Sequence, residues 1–216
     1  MKRLHESWSK FINVVKKSDG RWKIQLILVL WGIQVCIGSL IVWFSNLYFF
    51  YMTTLSYWGL TAYMIIFMIP GVPQLVKTIL YSLALTLHVI VPIIFWSLLS
   101  EAHFADTRPW SQFYSFCCHG GDFVVIFIHF IMYKHDLPII SIVWNTGVFL
   151  LYAVWAWVGY AATGKYVYPF IDFSNELAKF AYPGLFVLVI IVSSMWVVIH
   201  RYRNKANPHY ENMLPT

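Results

Sequence analysis

Cys117-Cys118-His119-Gly120-Gly121-Asp122, followed without a break by the apolar run at 123–132, decides how the rest of the chain is read. It sets an imidazole and a carboxylate three residues apart at the head of a segment apolar enough to cross a membrane. At that spacing the two share one helix face. Ionisable side chains inside a span are rare and costly, which makes such a pair a candidate functional site. The plainer alternative is that His119 and Asp122 merely satisfy each other or a cavity water.

Outward from that stretch, the composition suits a bilayer. Of 216 residues, 60% are hydrophobic and only 11% charged, whereas roughly a quarter are charged in soluble domains. The 11 Trp and 14 Tyr supply rings that are favoured at lipid–water interfaces. A formal charge of +6 would suit a nucleic-acid partner, but the basic residues gather at the chain ends beside apolar runs. Topology accounts for them, and no nucleic acid is expected. Cys36, Cys117 and Cys118 all fall within apolar runs as small apolar residues, without a disulfide pattern or zinc spacing.

Apolar runs fall at 24–44, 47–69, 75–99, 112–133, 137–162 and 180–199, each matched to a hydrocarbon core of about 30 Å at about 1.5 Å per residue. The expected fold is all-α: a polytopic membrane protein with six transmembrane helices and both termini cytosolic. A basic N-terminal segment at 1–23 precedes a membrane domain at 24–200 and a tail at 201–216. The first run lacks a small-residue cleavage site and reads as a retained span. Residues 1–23 read as an amphipathic helix on an anionic leaflet or as a loose basic tail. With six spans and a cytosolic N-terminus, 12 Lys and Arg lie inside and 3 outside, as the positive-inside rule requires. Five or seven spans would send a basic tail to the wrong side.

On this topology the second and fourth runs enter from the same face. Thr53 lies about six residues into one and His119 about seven into the other, so both sit about 10 Å deep. Thr53, Thr54 and Tyr57 make the start of the second run polar, and Thr53 and Tyr57 share a face. A hydroxyl level with an imidazole beside a carboxylate has the parts of an activated nucleophile, with Asp122 orienting His119. Against that, threonine in a membrane helix commonly bonds its own i−4 carbonyl. His88, in the middle of the third run, has no mate at its depth, and His119 and His129 stand about 15 Å apart on different faces. Haem ligation by histidines at matched depth is therefore a minor alternative. His103, His135 and His209 read as solvated, and His200 as interfacial.

Three pieces carry a family likeness. They are His119-Gly120-Gly121-Asp122 leading to Lys134-His135-Asp136-Leu137-Pro138, the Trp/Tyr-rich run that follows, and Thr163-Gly164-Lys165-Tyr166-Val167-Tyr168-Pro169. Together they resemble the androgen-induced protein family, which includes the androgen-dependent regulators of tissue factor pathway inhibitor. Its members share a histidine opening one span, a His and Pro about a span later, and a Thr-Gly-x-Trp-Val-Tyr-Pro loop, with Tyr166 here in place of Trp. The resemblance implies a multi-span endomembrane hydrolase of fatty acid esters of hydroxy fatty acids, working through a threonine and a histidine. The family's aromatic-Leu-Thr motif is matched by Phe50-Tyr51-Met52-Thr53, with Met for Leu. Thr53 then maps to the nucleophile and His119 to the base, with Thr54 as the adjacent register.

Asp122, Tyr51, Tyr57 and the amides at Gly120-Gly121 are the candidates for orienting the base or holding an oxyanion. The resemblance also implies a lipid ester entering from the bilayer, no metal or other cofactor, and a place in the endomembrane system. The endoplasmic reticulum leads there, ahead of the vacuole. The competing readings are a non-catalytic membrane scaffold, a diverged inactive member of the family and, third, a haem-binding or transport protein.

Overall fold

The computed structural model describes residues 20–206, which fold into helices joined by short turns, with no strand among them. The long helices are α1 (Arg21–Trp43), α2 (Met52–Met68), α3 (Gln74–Leu99), α4 (Pro109–Met132), α5 (Ser141–Thr163) and α6 (Ala178–Ala206). One-turn 3₁₀ segments at Tyr48–Phe50 and Pro169–Ile171 lead into α2 and α6. A short helix, Ser100–Phe104, prolongs α3. Among the described residues five helices are long and apolar enough to cross a membrane; α2, with 17 residues, is shorter. Large apolar side chains such as Ile27, Ile41, Val143, Leu151, Val154 and Ile191 stand exposed on the outer faces. That suits a hydrocarbon surround far better than water.

Each boundary follows from local chemistry. Pro70, Gly71 and Pro73 end α2 and start α3, with Gly71 at positive φ (83°), a conformation glycine adopts without a Cβ clash. Pro109 occupies the first turn of α4, where a missing N–H costs nothing. Gly164 closes α5 at positive φ (69°). Arg21 and Lys23 fall within α1; of the expected N-terminal segment, residues 1–19 lie outside the described residues. At the other end α6 runs six residues past the expected limit of 200.

The helices run up and down, so that α3 packs against α2, α4, α5 and α6. Its buried face, with Tyr81, Leu85, Ile90 and Val91, meets Leu60, Tyr63 and Met64 of α2, Ile126 of α4, Phe149 of α5 and Val192 and Trp196 of α6. Lipid is as apolar as these side chains, so hydrogen bonds and close packing must supply the specificity. Asn145 of α5 supplies much of it, donating to Thr86 (2.9 Å) and Ser193 (3.1 Å) and accepting from Ser82 (3.0 Å). That knot ties α3, α5 and α6 together at one level. Close approach does the rest. A Cβ on Gly38 would lie 2.0 Å from the Tyr114 hydroxyl, and one on Gly159 2.7 Å from the Phe50 ring.

Two helices depart from α geometry, and both departures lie near one end of the bundle. Residues Phe95–Leu99 in α3 and Cys117–Gly121 in α4 form π turns. In α3 the turn follows Pro92, which removes one N–H from the ladder and wedges the preceding turn. In α4 it coincides with Gly120 and Gly121, poor helix formers that yield readily to a wider turn. Single π turns of this kind concentrate at functional sites.

Candidate active site

Both π turns converge on His119. Its Nε2 lies 3.2 Å from the Thr53 hydroxyl, so the α2 and α4 residues expected at one depth meet side by side. The other ring nitrogen settles the proton. Nδ1 sits 2.7 Å from the carbonyl oxygen of Ser115, one turn earlier. A carbonyl only accepts, so Nδ1 carries the hydrogen and Nε2 presents its lone pair to Thr53. That is the tautomer a general base requires, fixed here by a backbone carbonyl where a catalytic triad uses a carboxylate.

The ring is clamped from the side by α3. Phe95 stacks flat on the imidazole, with centroids 3.5 Å apart and planes 11° apart, and Trp96 donates its indole N–H to the His119 carbonyl at 2.9 Å. Neither aromatic was singled out in the sequence, where both vanish into an apolar run.

Thr53 is the second residue of α2, in the turn where backbone N–H groups have no helical partner. The Met52 amide donates to the Tyr168 hydroxyl at 2.9 Å. The same hydroxyl interacts with the Thr53 side chain and lies against Tyr152, whose own hydroxyl donates to the Phe50 carbonyl. Burial pushes the Tyr168 phenol up from its ordinary value, so it stays a neutral donor. Tyr168 belongs to the Thr-Gly-x-aromatic-Val-Tyr-Pro loop, so the signal that could have found it was the loop's likeness and not its chemistry.

Thr53 and Tyr168 both line a cavity of about 50 Å³, walled by Met52, Val91, Ile94, Phe95, Phe149 and Ile171 among others. A single water needs about 10–15 Å³ on that measure, so the space holds several. Among the described residues no charged one lines it. His119 stands behind Thr53 with Phe95 as their shared wall.

The other expected residues are placed as follows. Asp122 does not orient His119. The wider π turn between them breaks the α-helical spacing on which a shared face depends, and Asp122 instead faces His88 of α3, Oδ2 to Nε2 at 3.5 Å. His88 therefore faces a carboxylate, a partner different in kind from the second histidine that haem ligation would need. Tyr57 is buried with Val35, Cys36, Tyr114, Cys117 and Cys118, away from the cavity lining. Tyr51 packs edge-on against Tyr168 at 5.5 Å and caps α2. Thr54 is buried and, unlike Thr53, neither lines the cavity nor bonds His119.

Of the histidines expected in solvent, His103 packs against Phe95 and Trp43. His135 is buried, with its Nε2 3.3 Å from that of His129. His200, expected at an interface, is buried against the Tyr81 hydroxyl at 3.1 Å. His209 lies outside the described residues. Among the described residues, no three of His, Cys, Asp and Glu gather as metal ligands.

The class these features define is a membrane-embedded imidazole–hydroxyl site opening on an apolar cavity. Among known proteins, no family model, no curated protein and no solved structure matches the chain.

Proposed function

We propose that the protein is a membrane-embedded hydrolase of lipid esters, in the manner of the family its motifs resemble, with fatty acid esters of hydroxy fatty acids as the substrate class. The observation that carries this is the 3.2 Å contact between Thr53 and a His119 whose tautomer makes it the acceptor. Thr53 attacks the ester carbonyl while His119 Nε2 takes its proton, and the imidazolium returns that proton to the departing alkoxide. Water, activated by the same nitrogen, then releases the acid from the acyl-threonine. Tyr168, whose oxygen accepts from the Met52 amide and whose own O–H remains to donate, is the best-placed holder of the oxyanion.

An apolar cavity without charged lining favours an acyl chain over a soluble ester. On this reading α2 completes a six-span bundle with both termini in the cytosol, as the basic-residue asymmetry favours, and the site faces the lumen of the endoplasmic reticulum.

The test is labelling by a fluorophosphonate probe together with turnover of a branched fatty ester by the purified protein. Thr53→Ala and His119→Ala each abolish both, and Thr54→Val leaves both near the parent level. A parent protein that neither labels nor turns over the ester sinks the proposal.

A further inference from the structure

His88 and Asp122 are both 0% exposed, and neither takes part in the chemistry above. His88 Nδ1 lies 2.7 Å from the Ala84 carbonyl, so that nitrogen carries a hydrogen. Asp122 Oδ1 accepts from the Phe123 amide at 2.7 Å. What remains is His88 Nε2 facing Asp122 Oδ2 across 3.5 Å, and neither atom has another hydrogen-bond partner among the described residues.

A neutral imidazole with its hydrogen on Nδ1 presents a lone pair at Nε2, and a carboxylate presents only lone pairs. Facing each other they would repel, and the pair would leave a bare negative charge in an apolar core. The groups around Asp122 are Tyr57, Cys117 and Cys118, none of them a cation. One further proton removes both penalties. Placed on Asp122 it makes a neutral acid donating to a neutral imidazole; placed on His88 it makes an imidazolium beside a carboxylate. Either way the pair is neutral overall and hydrogen-bonded.

We propose that His88 and Asp122 form an intramembrane proton-binding site that clamps the π turn of α4 to α3 and thereby positions His119 on Thr53. Asp122 directly follows that turn, and His119 lies within it. His88 stands one turn before the Val91–Pro92 wedge that precedes Phe95, the ring stacked on His119. The clamp therefore joins the two irregular segments just below the point where they grip the imidazole. Only the effect of that positioning on turnover rests on the hydrolase reading; the bound proton and the placing of His119 do not.

The experiment has two arms. In the first, the parent protein is labelled with ¹⁵N histidine and carboxyl-¹³C aspartate and studied by NMR at pH 7, with His88→Gln and Asp122→Asn assigning the signals. A protonated acid with a neutral imidazole, or a carboxylate with an imidazolium, is the expected result. A carboxylate beside a neutral imidazole, or an acid beside an imidazolium, overturns the proposal. In the second arm, Asp122→Asn supplies an amide N–H in place of the shared proton and keeps most of the turnover and the His119 Nε2 signal of a hydrogen-bonded acceptor.

Asp122→Leu lowers kcat roughly 10- to 100-fold with KM little changed, and shifts that His119 signal. If the Leu and Asn variants behave alike in both respects, the clamp is wrong. If no protein, parent included, turns over ester, the hydrolase reading fails alone and the His119 signal still decides the clamp. The first arm stands even if the Leu variant does not fold.

Discussion

The two ends of the bundle are built from the same pair of parts and use them differently. At one end an imidazole accepts from Thr53. At the other, His129 and His200 accept from Tyr63 at 2.7 Å and Tyr81 at 3.1 Å. His200, like His119, gives its Nδ1 hydrogen to the carbonyl one turn earlier, and His129 gives its own to Gln25. The bonding is thus nearly interchangeable, and the surroundings are not. His129 lies among the rings of Phe67, Tyr81, Tyr133 and His135, and none of these residues lines the cavity. Thr53 does line it, at a helix N-terminus, with a stacked base behind. An imidazole–hydroxyl bond in a membrane core is therefore a satisfied polar contact by default; the cavity, the Tyr168 hydroxyl held at the first turn of α2 and the π turns turn one such contact into a candidate site.

The largest effect that would sharpen this contrast is a matched pair of substitutions. On the proposed hydrolase reading His119→Ala removes turnover entirely while leaving the fold, since the side chain it deserts most directly is Thr53, which borders the cavity. His129→Ala removes stability, because it strands Gln25 and Tyr63 in the core, and the fraction that still folds turns over ester at the parent rate. Equal loss of activity per folded molecule in both variants would break the distinction between the two ends. Next in size is Tyr168→Phe, which on the proposed mechanism deletes one oxyanion donor and lowers kcat by about 10²–10³-fold, with formation of the proposed acyl-threonine slowed. Single-turnover kinetics measure that step directly.

The helical class, the apolar runs and the matched depth of Thr53 and His119 could all be read from the sequence, because each rests on spacing that a regular helix converts into geometry; that the two side chains face each other came only from the family resemblance. Depth along the membrane is such a quantity: two helices entering from one face put residues of equal count at equal level. Asp122 could not be placed in that way. Its expected partnership with His119 assumed an unbroken α-helix, and the extra width of the turn at Cys117–Gly121 hands it to His88 instead. The glycines there and Pro92 signalled irregularity without saying in which direction the next side chain would turn. The buried state of His135 was equally hidden, since a Lys-His-Asp turn looks solvated until Tyr81 and α6 close over it.

Smaller effects belong to the sealed end. Tyr63→Phe leaves the His129 acceptor short of a donor and costs about 1–3 kcal/mol of stability, read from unfolding in detergent, with no change in KM. His135 gives the smallest and most specific signal. Burial, reinforced by His200, Arg203 and Lys77, pushes its imidazole down to about 3 from an ordinary 6.5. Below pH 6.5 the unfolded chain binds a proton that the folded one refuses, so its contribution is complete above that pH and is lost as pH falls toward 3. Between pH 6 and 4 the slope it adds is at most about 1.4 kcal/mol per pH unit. His135→Gln flattens that part of the acid unfolding curve and leaves turnover at pH 7 untouched. Were the slope to survive the substitution, the acid sensitivity would have to come from elsewhere in the bundle, and His135 would be an exposed histidine after all.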